Sequence, residues 1–250
     1  MAKTFYYDSV GLLDLSSGSI TAGTVSSTTF TVAAGEVTNE HYLKDMSIGH
    51  GVTSFDNNDC IRIDFGSTIS ADSVLHYMTT ANTLDMIIYK SSNATTSLSA
   101  LVTDAAHTVG WNINSISIDT RYVFIESAES AFAGMTELVI GNKLQFENEP
   151  DIGIATQEIF GTDINKSYGG VEYANKKHEP QSTWTLNFSN ISQTFRNNLA
   201  SMEADVTDYK KFVYYDDSSY HYVRLDAPIK FTEVAYQRFS ASLKLREQLS

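Results

Sequence analysis

The stretch Cys60-Ile-Arg-Ile-Asp-Phe65 gives the clearest indication of the fold. Its apolar residues Ile61, Ile63 and Phe65 fall at every second position. Because successive side chains of a β-strand point to opposite faces, this spacing predicts a strand with one buried face. The isoleucines beside Cys60 favour a buried, unreactive thiol over a reactive one. Cys60 is the single cysteine, so no intramolecular disulfide can form.

Similar β-branched and aromatic runs recur along the first part of the chain, at 84–89, 111–118, 121–125 and 137–144. They are separated by Ser, Asn, Asp and Gly turns, which is typical of an antiparallel sandwich or jelly roll. The α/β alternation of a nucleotide-binding fold is missing from this pattern. The hydroxyl-rich run 25–32 predicts a further strand, with a mobile surface arm over 15–35 that reaches a neighbouring subunit as the alternative.

The last hundred residues contain one helical pattern. Apolar residues recur at steps of three and four, which marks one face of a helix at about 190–205; they are Ile191, Phe195, Leu199, Met202 and Val206. Asn190 is the predicted N-cap, with Gln193 closing a capping box. Strand patterns surround this helix at 182–188, 211–215, 220–225 and 239–246, and a hairpin loop is predicted at 216–219.

A polar stretch with Pro150 and Gly153 indicates a boundary or a long connection. The sequence therefore predicts a mainly β protein in two parts. The first, 1–145, is an antiparallel β-sandwich or jelly roll with its core at about 55–145. The second, 146–250, is a smaller α+β unit with one amphipathic helix and a β-meander.

The charge balance excludes two classes of partner. The chain has 17 basic and 30 acidic residues, a net charge of −13, so phosphate backbones and anionic lipid surfaces would repel it. No apolar run reaches the length that spans a bilayer, and the first residues do not resemble a signal peptide. Residues 1–145 hold 6 basic and 15 acidic side chains, and residues 146–250 hold 11 and 15, which predicts an acidic first module and a more balanced assembly module.

No motif indicates catalysis, a cofactor or a metal. The histidines at 41, 50, 76, 107, 178 and 221 lack the spacing of zinc ligands. The oxygen-rich run Asp56–Asp59 favours an Asx turn over a calcium loop, and the run starting at Asp163 departs from an EF-hand at its sixth and twelfth positions. Nucleophile-elbow and phosphate-loop motifs are missing, so we predict that the protein is not an enzyme.

Aromatic residues are dense between Tyr209 and Tyr222. One face of this hairpin can be core, a protein interface or a platform for sugar rings, and these three alternatives stay open. The candidate interface or glycan contacts are Trp111, Tyr214, Tyr215, Tyr220 and Tyr222.

Several of these segments, in order, resemble a discoidin-like, galactose-binding-like jelly roll; they are Ile61–Phe65, Ile69–Tyr77, Thr83–Tyr89, the Trp111 segment, Arg121–Ile125 and Glu137–Gly141. In that family an Ala-Asp-Ser turn, here Ala71-Asp-Ser73, is followed by a Trp, by an Arg-Tyr-hydrophobic strand and by a closing Glu-Leu-hydrophobic strand. The resemblance covers about residues 55–145. The ligand loops of the family vary too much for sugar-binding residues to be transferred.

The order of the whole chain resembles distal-tail and tail-tip structural proteins of tailed bacteriophages. The jelly roll is followed by Gly169-Gly170, the strand Trp184–Phe188, the helix, the aromatic hairpin and the closing strand Leu243–Glu247. This resemblance implies a virion tail protein made in the host cytoplasm that oligomerises in a ring and contacts tube, hub or fibre proteins. The alternative is a carbohydrate-binding adhesin module that contacts host-surface glycans.

Overall fold

Strands account for 61% of this computed structural model. The structure describes residues 3–15, 19–33, 43–44, 58–81, 83–104, 106–127, 134–151, 155–168, 170, 172–207 and 209–248, without the side chains at 155 and 178. His41, His50, Asp56 and Gly169, which the sequence analysis considered, lie outside these residues.

Sixteen strands and one α-helix occur in the described part of the chain. The first ten strands are β1 (Thr4–Tyr7), β2 (Ile20–Ser26), β3 (Thr29–Val32), β4 (Asp59–Asp64), β5 (Ala71–Met78), β6 (Met86–Ser91), β7 (Ser99–Asp104), β8 (Gly110–Ile118), β9 (Tyr122–Ser127) and β10 (Met135–Gln145). They are followed by β11 (Ala155–Lys166), β12 (Glu172–Ser192), α1 (Gln193–Val206), β13 (Phe212–Tyr215), β14 (Tyr220–Leu225), β15 (Lys230–Ala235) and β16 (Arg238–Glu247). The mainly β fold class predicted from the sequence is confirmed.

The chain divides into two compact units. One contains Tyr6–Lys143, and we call it the sandwich unit. The other combines Met1–Phe5 with Leu144–Leu249, and we call it the meander unit.

The sandwich unit buries its core between two antiparallel sheets. One sheet has the order β3-β2-β4-β9-β6-β7, and the other contains β10-β5-β8. Ile61 and Ile63 of the first sheet share one apolar cluster with Val74 and Ile140 of the second, and all four side chains are fully buried. Because both sheets contribute to this cluster, their inner faces pack on each other as in a β-sandwich.

A second, smaller cluster covers the outer face of the six-stranded sheet. Cys60 is fully buried there with Phe30 and Phe124, which confirms the predicted burial of the thiol. Burial raises the pKa of this thiol well above its usual value, and the nearby Glu126 adds to the rise. Because Val25 and Phe30 hold the β2–β3 hairpin against this cluster, the alternative of a free N-terminal arm is wrong for residues 20–32.

The meander unit is an antiparallel sheet with one helix. Its strands follow the order β11-β12-β16-β14-β13, and β15 pairs with the opposite part of β16. Aromatic rings fill the core: Phe146 lies 4.7 Å from Phe5 and 5.1 Å from Phe188, measured between ring centroids. The predicted hairpin loop at 216–219 joins β13 to β14.

Helix α1 buries the side chains that the sequence predicts, from Phe195 to Val206. Its start is different, because Ser192 is the N-cap and its hydroxyl accepts a hydrogen bond from the N–H of Phe195 at 3.1 Å. The predicted cap Asn190 instead has a φ of 58°, a left-handed conformation outside the helix. Glu147 accepts hydrogen bonds from the N–H and the hydroxyl of Ser192, so a residue distant in sequence takes the place of the predicted capping box.

Candidate functional site

A long two-stranded ribbon extends from the sheet of the meander unit. Strands β11 and β12 pair from Ala155↔Thr185 to Lys166↔Glu172, whereas β16 pairs with β12 only from Thr183 onward. The paired segments 158–166 and 172–182 therefore have no third strand beside them among the described strands, and we call this ribbon the arm. At about 3.3 Å per residue, its nine residues of β11 span roughly 30 Å.

The arm exposes apolar side chains on both faces. The exposed fractions are 70% for Phe160, 62% for Ile164 and 58% for Tyr173, and Tyr168 at the tip is fully exposed. Ile164 pairs with Ala174, whereas Tyr173 pairs with Asn165, so Ile164 and Tyr173 point to opposite faces. A two-stranded ribbon without a packed face is marginally stable in water, so the arm would gain stability by packing on another surface.

Strand β15 provides a second exposed surface in the same unit. It pairs with β16 alone among the described strands, so its other edge presents free backbone groups. Val234 and Tyr236 at the end of this hairpin are 56% and 85% exposed. Exposed sheet edges of this kind can be completed by a strand from another molecule.

The structure distributes the five aromatic candidates between the two units and between core and surface. Trp111 lies in the sandwich unit and is 8% exposed, with its ring against Tyr77 at 5.4 Å. Tyr214 and Tyr222 are buried in the meander unit. Tyr215 and Tyr220 are half-buried, and their rings lie 4.6 Å apart with 30° between the planes. These two rings are the members of the set that present surface to solvent.

The loop after Tyr215 is organised by one carboxylate. Asp216 Oδ1 accepts hydrogen bonds from the N–H of Ser218 and Ser219 at 2.9 and 2.8 Å, and Oδ2 lies 3.0 Å from Nε2 of His221. Burial alone would raise the pKa of Asp216, but these hydrogen bonds outweigh it and hold the pKa well below its ordinary value.

Replacing Asp216 with alanine should lower the free energy of unfolding at neutral pH by about 1–3 kcal/mol, because the loop N–H groups and His221 lose a charged acceptor. A depressed carboxyl pKa contributes stability above the unfolded-state pKa, and this contribution disappears as pH falls below it. Urea denaturation at several pH values should therefore show the largest difference from wild type near pH 7 and a smaller one below about pH 4. Ser219→Ala is the control in the same loop, because it removes a hydroxyl but keeps the N–H that donates to Asp216; an equal loss in that variant would contradict the role of Asp216.

A polar cavity of about 560 Å³ lies on the outer side of the six-stranded sheet, lined by Thr24, Val25, Ser26, Ser27, Asn58, Ile87, Tyr89 and Glu126. Glu126 is 5% exposed, and burial raises its pKa, while a hydrogen bond with Tyr89 partly offsets the rise. Its Oε2 atom has no hydrogen-bond partner among the described residues. The cavity can accept a small polar molecule that donates a hydrogen bond to this carboxyl group.

Two histidines and one aspartate meet inside the sandwich unit. His76 projects from β5 on the face of Val74 and Met78, and its Nε2 lies 3.0 Å from Nδ1 of His107. That Nδ1 atom lies 3.7 Å from Oδ2 of Asp104 at the end of β7. One possible ligand atom of each residue lies within 4.8 Å of the ligand atoms of the other two. Among the described residues, these three side chains are the group that could hold a metal ion.

The protonation states around these histidines follow from their neighbours. Burial, with a smaller contribution from His107, lowers the pKa of His76 to about 3, so its ring is neutral at physiological pH. Nε2 of His107 lies 3.1 Å from the carbonyl oxygen of Leu84. Because a carbonyl only accepts, Nε2 of His107 carries a proton, and in a neutral ring the lone pair then lies on Nδ1.

Sequence reasoning did not find this cluster. His76 sits alone in an alternating strand pattern, and only the local spacing Asp104-Ala-Ala-His107 could have drawn attention. The arm was missed for a different reason: both faces of its strands mix polar and apolar residues, so the strands lack the alternation that identifies a half-buried strand.

Comparison of the sequence with protein-family models gives no match, and comparison with curated proteins gives none. No helix in the described part of the chain is long and apolar enough to cross a membrane. The class of this protein is therefore inferred from its own residues.

Proposed function

We propose that this protein is a structural subunit that assembles with further copies of itself, and that the assembly is the tail of a tailed bacteriophage. The observation that carries the self-assembly proposal is the arm, with apolar side chains exposed on both of its faces. The resemblance of the sequence to distal-tail and tail-tip proteins supplies the biological setting, including contacts with tube, hub or fibre proteins.

The partner surface that fits the arm is available on the same chain. No other described strand pairs with the second edge of β15 or with the outer edges of β11 and β12 in the arm. Addition of the arm of one subunit to the β15 edge of the next would pair backbone groups and place cross-strand neighbours beside Ile164 or Tyr173. Such a contact joins two different surfaces, so repeated copies close into a ring when the rotation between them permits closure.

Sedimentation velocity over a concentration series tests self-assembly. The wild-type chain should form oligomers, and the double variant Ile164→Ser/Tyr173→Ser should weaken assembly by about tenfold or more, since each side chain loses its burial at the contact. The matched control is Asn165→Ser/Asn175→Ser, which changes polar positions of the same arm and should assemble like wild type. A wild-type chain that stays monomeric up to its solubility limit would contradict the proposal.

Mass spectrometry of purified phage particles tests the setting separately. The protein should be present in isolated tails in a fixed ratio to the other tail proteins. Self-assembly in solution together with absence from particles would retain the structural class and remove the tail assignment.

The glycan-binding alternative is supported by one observation. Tyr215 and Tyr220 present partly exposed rings beside the hydroxyl-rich loop of Ser218 and Ser219, an arrangement that can stack on a sugar and hydrogen-bond to it. Binding to a glycan array that is lost in Tyr220→Ala but kept in Tyr236→Ala would favour this function. A folded wild-type chain that binds no glycan would remove it.

A further inference from the structure

We propose that His76, Asp104 and His107 form a binding site for one divalent transition-metal ion, with zinc as the ion that fits best. Two imidazole nitrogens and one carboxylate oxygen form a donor set that zinc accepts, and three protein ligands with one solvent position are a common zinc arrangement. The site lies in the sandwich unit, whereas the arm belongs to the meander unit, and the site does not depend on the assembly proposal.

The distances between the donor atoms are close to those of an occupied site. Zinc–nitrogen and zinc–oxygen bonds of about 2.0–2.1 Å in tetrahedral geometry separate the ligand atoms by roughly 3.3 Å. The observed separations are 3.0 Å between the histidine nitrogens and 3.7 Å between His107 Nδ1 and Asp104 Oδ2. Small side-chain rotations would therefore bring all three atoms to a shared ion.

Neighbouring residues hold two of the ligands in place. The Leu84 carbonyl keeps the proton of His107 on Nε2, which directs the lone pair of Nδ1 toward His76 and Asp104. Nδ2 of Asn114 donates to Oδ2 of Asp104 at 3.1 Å and orients the carboxylate. Outer hydrogen bonds of this kind fix ligand orientation and increase metal affinity.

Hydrogen bonds from Asn112 also stabilise the connection between β7 and β8 next to the site. Asn112 Oδ1 accepts from the N–H of Thr108 at 2.9 Å, and its Nδ2 donates to the carbonyls of Thr108 and Gly110 at 2.9 and 3.1 Å. These bonds fix the backbone that follows His107. The ligands therefore lie on a strand and a braced turn, and little chain entropy would be lost on binding.

The burial of the three ligands indicates how an ion would enter the site and how tightly it would bind. The His107 side chain is fully buried, whereas that of Asp104 is 20% exposed, so an ion enters past the carboxylate and keeps a water on that side. Without metal, Nε2 of His76 donates a hydrogen bond to Nδ1 of His107. With metal bound to Nε2, the proton of the neutral His76 ring would lie on Nδ1 instead. This Nδ1 atom has no hydrogen-bond partner among the described residues. Because this second ring nitrogen is unsupported, we expect micromolar rather than nanomolar affinity.

The bound ion would act as a cross-link. It would join β5 to the β7–β8 connection, in a chain whose single cysteine excludes an internal disulfide. Binding to the folded state alone raises stability in proportion to the logarithm of ion concentration.

Calorimetric titration of the chelator-stripped full chain with zinc chloride tests this inference. We expect one ion per chain with micromolar affinity, a higher thermal midpoint with zinc, and, with cobalt in its place, absorption bands of a tetrahedral site. Asp104→Asn keeps an oxygen that can accept from Asn114 but removes the charge, so the chain should fold normally and bind zinc at least about tenfold more weakly. His107→Gln should show a larger loss.

His221→Gln is the matched control, because His221 also lies near carboxylates but in the meander unit. It should bind zinc like wild type. A folded wild-type chain that binds no zinc would overturn the proposal, and so would binding that is unchanged in Asp104→Asn and His107→Gln.

Discussion

Gly141→Ala should destabilise the sandwich unit by about 3 kcal/mol or more, the largest effect expected from adding a methyl group to any glycine that the structure describes. Gly141 lies in β10, where an added Cβ would overlap the carbonyl oxygen of Tyr7 and come within 2.7 Å of the N of Ser9. Both obstacles are backbone atoms, so no side-chain rotation can relieve the overlap. The midpoint of urea unfolding, followed by circular dichroism, should fall sharply.

Gly66→Ala is the control for that experiment. Gly66 has a φ of 75°, but no atom lies within 4 Å of an added Cβ. The expected cost is the backbone strain alone, about 1 kcal/mol. Equal losses for the two glycines would contradict the close approach of Tyr7 to β10.

Phe5→Ala should destabilise the meander unit by about 3–5 kcal/mol. The Phe5 side chain is fully buried and lies edge-on to Phe146 at 4.7 Å and to Phe212 at 5.4 Å. Removing the ring leaves a cavity at the centre of these contacts, and the loss includes the edge-to-face attraction of each ring pair. Hydrogen exchange measured by mass spectrometry should show faster exchange in β13, which contains Phe212, and in β12, which contains Phe188 next to Phe146.

Phe124→Ala provides the matched comparison in the sandwich unit. Phe124 is also fully buried, with Phe30 at 5.5 Å. Its loss should accelerate exchange in β4 and β9 first. If Phe5→Ala instead accelerated exchange mainly in β4 and β9, the assignment of Phe5 to the meander unit would be wrong.

Helix α1 shows which features a local sequence pattern can predict. The recurring apolar residues predict its buried face correctly, because the 3.6-residue period depends only on the helix and on one apolar side. The exact start was not predictable. It depends on the left-handed backbone of Asn190 and on Glu147, which reaches Ser192 from a distant part of the chain.

The candidate sites were harder to predict from the sequence than the strands. Trp111 and Tyr214 belong to residue types that are common at protein interfaces, yet the structure buries both side chains. The side chains of the arm are exposed because no third strand of the described part of the chain lies beside it, and that is a property of sheet order. The type of a residue alone does not specify whether another strand covers its side chain.

The sequence by itself determined the mainly β class, the buried face of α1 and the buried Cys60, because alternation and helical period record which side of a local element is apolar. Only the tertiary structure decided that His76 meets His107, that Gly141 lies against Tyr7, and that β11 and β12 of the arm pair with each other and with no other described strand. These features depend on which strands pair and in which register. Pairing between distant segments is set by the summed packing of the whole core, so no local pattern encodes it.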